Sequence, residues 1–150
     1  MTKIAEITQL IDGTPDEVFR CWLVAELIED WWGPDGFTTK VLKLEAEEGG
    51  AFIFQMTSPD GESCNMTGTY QKIDRPTLLV FDVDSHCNIG IPPHVTPQLD
   101  QSRVTVTFKP VGGQTELTVQ HSGLGSSYME LATVSWGQTM TKFATTAERS

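Results

Sequence analysis

The sequence predicts an α+β fold in which a curved antiparallel sheet grips one long C-terminal helix. Three patterns predict it. Between residues 38 and 121, apolar and polar side chains alternate with period two in short runs separated by turn signals. Met129, Ala132, Trp136, Met140, Phe143 and Ala147 follow at steps of three and four, which puts them on one helical face. Strands joined by tight turns pair antiparallel, and such a sheet needs one face covered. The C-terminal helix is the large cover available.

Each element has its own local reason. Ile4 to Ile11 reads as a first strand. Thr14 can cap a helix, Pro15 suits its first position and Glu17 completes a capping box, so a short helix carries Val18, Phe19 and Trp22. A second helical piece runs to Trp31 and Trp32, and the Gly33-Pro34-Asp35-Gly36 turn stops it. Residues 38–45 and 51–57 are the next strands, parted by Gly49 and Gly50, with Phe52, Phe54 and Met56 on one face. Beyond Pro59-Asp60-Gly61, residues 63–73 put Cys64, Met66, Gly68 and Tyr70 on one face. Asp74-Arg75-Pro76 turns into a strand where Leu79, Phe81 and Val83 alternate with Leu78, Val80 and Asp82.

Val104, Val106 and Phe108 alternate through 103–109. Gly112-Gly113 closes a hairpin to 115–121, where Leu117, Val119 and His121 share a face. Residues 84–101 hold Pro92, Pro93 and Pro97 and read as a long loop with at most one irregular edge strand. Ser127 to Glu130 reads as a second capping box, opening a helix over 128–148 about 31 Å long at ~1.5 Å per residue. Gly137 interrupts that helix, and the reason expected for it is close approach to the sheet or to a ligand.

The chain of 150 residues fits one domain, 1–150, with no internal repeat or linker. Its 10 Lys and Arg against 20 Asp and Glu give a net charge of -10, which repels nucleic-acid phosphates and anionic lipid. No apolar run approaches the ~20 residues that span a bilayer, and Glu6 stands where a signal peptide needs apolar residues. The expected address is the cytoplasm, with no nucleic-acid partner and no membrane insertion. Cys21, Cys64 and Cys87 are odd in number, far apart and without CxxC spacing. The expectation is three reduced thiols used in packing, with neither a disulfide framework nor a zinc site.

Several stretches together resemble a known family. They are Ile11 to Phe19, Trp31 to Thr38, Gly49 to Gly61, Gly68 to Ile73, Val104 to Thr118, and Ser135-Trp136-Gly137, a reordering of the usual Gly-Trp. The sequence resembles the activator-of-heat-shock-ATPase-like branch of the START-like, birch-pollen-allergen-like superfamily (SRPBCC). The resemblance covers nearly the whole chain; Glu47-Glu48 stand where the family often has Arg-Pro, and residues 84–101 have no counterpart in its pattern. It implies a helix-grip fold with a cavity between sheet and long helix. It does not imply one function, because members include ligand carriers, polyketide cyclases, resistance proteins and a co-chaperone domain. The co-chaperones carry a further N-terminal domain where one domain is expected here, which counts against ATPase activation while leaving a chaperone-interacting, ATPase-activator-like protein among the alternatives.

The residues expected around a ligand are Trp32, Phe37, Phe52, Phe54, Met56, Met66, Tyr70, Phe81, His121, Met129, Trp136 and Met140. Flexible Met and large aromatics suit the wall of an adaptable apolar pocket. The first reading is therefore noncovalent binding of a small hydrophobic or aromatic molecule by a monomer or homodimer, without cofactor. The alternatives are a polyketide-cyclase-like enzyme using His121 and Tyr70 as polar groups, and a chaperone-interacting protein. Asp82, Asp84, His86, Cys87 and His94 have metal-ligand chemistry but match no known zinc spacing, so no metal is expected.

Overall fold

The computed structural model describes residues 4–149. Chain order is β1 (Ala5–Ile11), α1 (Pro15–Arg20), α2 (Ala25–Trp31), β2 (Thr38–Leu44), β3 (Ala51–Thr57), β4 (Ser63–Asp74), β5 (Leu78–Ser85), β6 (Ser102–Val111), β7 (Gln114–Ser122) and α3 (Ser126–Arg149). Among the described residues seven strands form one sheet in the order β1-β7-β6-β5-β4-β3-β2, every neighbouring pair antiparallel. Register shifts at Val41/Lys43, Thr67/Gly68 and Tyr70/Lys72 mark bulges, which bend strands and increase local twist. The bent sheet wraps α3, which packs against β1 and α2. This is the helix-grip fold.

The first short helix starts where its capping chemistry dictates. Thr14 Oγ1 accepts the Glu17 N–H at 3.3 Å, and Glu17 Oε1 accepts the Thr14 N–H at 3.0 Å. The Thr14 N–H and the Thr14 hydroxyl, both donating to Glu17 Oε1, hold that carboxyl below its ordinary value. The helix buries Val18 and Phe19, and Trp22 follows as the hub of the core. Its ring lies within 6.5 Å of the rings of Trp31, Trp32, Phe81, Phe108, Trp136 and Phe143. The apolar face of α3 is as spaced: Ala132, Trp136, Met140, Phe143 and Ala147 are buried, and Met129 is half-buried against the core.

Three expectations need correction, and one, the long loop before β6, holds in its plainer form. Ser127 does not cap α3, which already begins at Ser126; its hydroxyl accepts the Thr96 N–H at 3.0 Å. The stretch after β5 contains no strand; it is a loop held by side chains. Asn88 and Gln98 exchange two bonds of 3.0 and 3.1 Å, and buried Gln98 also bonds Asp100, Gly123 and Gly125. The cysteines are not all thiols. Cys64 of β4 and Cys87 of the loop are joined in a disulfide with Cα atoms 5.7 Å apart, within the usual range for a bridge. Gly137 is not forced by close approach: a Cβ there would meet Ile7 Cδ1 at 3.6 Å, an ordinary contact.

Candidate functional site

A half-open cavity of about 290 Å³ lies between α3 and one end of the sheet. Its helix wall is Tyr128, Leu131, Ala132, Ser135, Trp136 and Thr139. The sheet contributes Met56, Met66 and His121, one residue each from β3, β4 and β7. Phe37 and the Trp32-Gly33-Pro34 turn close one side, and His86, Cys87, Ile89, Gly90 and Ile91 close another.

The turn wall is laced to the helix. Thr139 Oγ1 donates to the Gly33 carbonyl at 3.0 Å, the Asp35 N–H donates to Gln138 Oε1 at 3.1 Å, and Lys142 Nζ donates to the Pro34 carbonyl at 3.3 Å. Gly33 has φ +102, a left-handed conformation open to glycine, and a Cβ there would press on Met56 and Phe37 at 3.3 Å. The loop wall is fixed at one end by the Cys64–Cys87 bridge.

One polar chain runs into this apolar space. The Trp136 indole N–H donates to His121 Nδ1 at 3.1 Å. His121 Nε2 and Ser102 Oγ are 2.7 Å apart, and Ser102 Oγ and His86 Nε2 are 2.6 Å apart. Ser102 and His121 are buried. Burial, with His86 nearby, pushes the His121 imidazole down to about 3. Burial also pushes His86 down to about 4, although Asp84 works the other way. Both rings are neutral near pH 7.

The structure divides the expected ligand residues into two groups. Trp32, Phe37, Met56, Met66, His121 and Trp136 line the cavity. Phe52, Phe54, Tyr70 and Phe81 do not; with Trp22 and Trp32 they surround a separate void of about 10 Å³, too small for a ligand. Met129 and Met140 are also outside the lining, Met140 because it is packed in the core. His121 and Tyr70 are not brought together at the cavity. Tyr70 packs tilted against Phe52 and edge-on to Phe81, and burial raises its phenol further from titration.

Sequence reasoning missed His86, Ile89, Ile91, Tyr128 and Leu131 as wall residues. Tyr128 and Leu131 stand on the same helical side as Ala132 and Ser135, a signal that was available. The loop residues have no period to read. Their acidic neighbours are engaged: Asp82 holds Arg103 at 2.7 and 3.1 Å, and Asp84 accepts from Thr69 and Gln101. Among the described residues no group of three His, Cys, Asp or Glu could hold a metal ion. No helix among them is long and apolar enough to cross a membrane.

Residues 12–148 match the family described as "Activator of Hsp90 ATPase homolog 1-like protein". The chain belongs to this family. The family lies in the START-like (SRPBCC) superfamily. A solved protein from Chromobacterium violaceum is 21% identical, with a TM-score of 0.82 over 97% of this chain and 96% of its own. One from Arthrobacter aurescens is 20% identical, TM-score 0.81, over 98% and 87%. The AHSA1 protein from Silicibacter pomeroyi is 19% identical, TM-score 0.76, over 95% and 96%. At these identities the likeness speaks for the fold. Comparison with curated protein sequences gives no match.

Proposed function

We propose that this protein binds a small apolar or aromatic molecule, without covalent chemistry, in the cavity between sheet and α3. Carriage, sensing and sequestration are all served by such a site. The observation that carries the reading is an apolar cavity of about 290 Å³ beside a densely packed core. Protein interiors fill space like organic crystals, so a void of this size with a few polar groups is the usual mark of a ligand site. Met56 and Met66 on its sheet side are flexible enough to adapt to a guest.

Acid–base catalysis has less support. Both His121 ring nitrogens are occupied by partners, and its low pKa makes it a poor base near neutrality. Chaperone docking rests on the family description. Of the exposed large apolar residues, Leu10 and Leu42 stand on β1 and β2, the opposite edges of the sheet, and so do not merge into one patch.

Native mass spectrometry of protein purified from its own cells tests the proposal. The expected spectrum shows the chain with an added small molecule that is released on activation. A bare chain, together with no thermal shift across a broad apolar library, would remove it. The same spectrum separates monomer from homodimer. The cytoplasmic address is proposed alongside on the sequence pattern, with the Cys64–Cys87 bridge closing on oxidation after lysis; both cysteines are then expected reduced in freshly lysed cells, and a bridge already formed there would overturn this address, since lasting structural disulfides favour oxidising compartments.

A further inference from the structure

Resting on the cavity reading above, we infer that the guest is a neutral carbonyl compound whose oxygen accepts a hydrogen bond from His86 Nδ1–H. The direction of the polar chain assigns that proton. An indole nitrogen only donates, so His121 Nδ1 accepts from Trp136 and the His121 proton sits on Nε2. That Nε2–H donates to Ser102 Oγ. Ser102 Oγ has no other acceptor for its single proton among the described residues, which directs that proton at His86 Nε2, 2.6 Å away. His86 Nε2 is thereby an acceptor, and the one proton of the neutral ring lies on Nδ1.

That nitrogen is buried and has no partner. Buried donors in native proteins are almost always met, so an unmet one in a cavity wall calls for an acceptor. His86 is the first residue after β5 and opens the loop wall of the cavity, and the inference requires that loop to shift so that the buried nitrogen reaches a guest. Charge narrows the class. No Asp, Glu, Lys or Arg lines the cavity, the Lys142 ammonium is held by the Pro34 carbonyl, and the chain carries a net charge of -10. An ionised carboxylate would enter without a counter-charge, whereas a ketone, aldehyde, ester or quinone needs none.

Equilibrium dialysis of the full chain near pH 7 against naphthalene, 2-acetonaphthone and 2-naphthoate tests this. The ketone is expected to bind about tenfold more tightly than either relative, the worth of one good hydrogen bond. In His86→Phe its advantage over naphthalene should vanish while naphthalene binding remains. Equal binding of ketone and hydrocarbon, an advantage that survives in His86→Phe, or strongest binding of the carboxylate each overturns the inference and leaves the cavity reading standing. Binding of no probe overturns both. The ¹⁵N shifts of His86 in the unaltered protein give a second measure that needs no variant: protonation at Nδ1 is expected, and protonation at Nε2 overturns the assignment.

Discussion

The indole N–H of Trp136 meets Nδ1 of His121 across 3.1 Å, tying the middle of α3 to the last turn-ward residues of β7. It is a bond between two buried side chains in the wall of the cavity. Trp136→Phe keeps an aromatic ring but leaves His121 Nδ1 unmet, at a cost of about 1–3 kcal/mol. Urea unfolding of Trp136→Phe, His121→Leu and the double variant should show a coupling of ~0.5–3 kcal/mol. Strict additivity would show that the bond contributes nothing.

Acid should weaken the fold through the same rings. Unfolded, each imidazole titrates near 6.5; folded, burial holds His86 near 4 and His121 near 3. Between these values the unfolded chain binds more protons, so the stability present above about pH 6.5 is lost as pH falls. The slope is at most about 1.4 kcal/mol per pH unit for His121, and smaller for the less buried His86. Urea midpoints measured from pH 7 down to pH 5 should fall in the natural protein and fall less in His121→Gln. A flat profile in the natural protein contradicts a buried neutral His121.

Reduction should loosen the loop wall. The Cys64–Cys87 bridge joins residues separated by 23 in sequence, and constraint of that order contributes roughly 3 kcal/mol. A reducing agent is expected to lower the melting temperature and speed amide exchange across 86–91. Thiol titration of the denatured, unreduced protein should find one thiol, that of Cys21; three would show that the wall is not bridged.

The strands were legible because alternation tells which way a side chain faces, and tight turns tell which strands pair. Alternation does not tell how far along the sheet the space is filled. Phe52, Phe54, Tyr70 and Phe81 face inward just as Met56 and Met66 do, but their end of the sheet is packed around Trp22 and the other end is open. Only three-dimensional closure separates the two groups. His86, Ile89 and Ile91 lie in an aperiodic loop, and Cys87 meets Cys64 because that loop folds back over β4, which no spacing encodes. Ser127 shows the same limit at a helix end: its hydroxyl suits a cap, and a neighbouring loop N–H took it.

Gly137 offers a position where the fold can be improved. It is half-buried inside α3, and a methyl group there would touch only Ile7 Cδ1, at 3.6 Å. Gly137→Ala should stabilise the protein by about 0.5–1 kcal/mol by removing backbone freedom from the unfolded chain. Thermal and urea unfolding would show it. A loss of stability would mean that the helix must bend or shift at this position.

Met66 is the side chain with which to ask whether the cavity is a site or slack packing. It stands opposite Phe54 across β3 and β4 and projects into the cavity wall. In a real cavity Met66→Trp fills empty space, so its cost should stay below the ~1–3 kcal/mol of an overpacked core. The larger ring should also exclude the guest. A ligand at a hundredfold excess over its dissociation constant stabilises the natural protein by ~2.7 kcal/mol through mass action. That gain, read as a rise in melting temperature with altered Trp fluorescence, should be absent in Met66→Trp. The two readouts are independent, since one reports volume and the other occupancy. Strong destabilisation by Met66→Trp, with no thermal shift of the natural protein by any apolar compound, would mean that the space closes up in solution and that ligand binding is not its purpose.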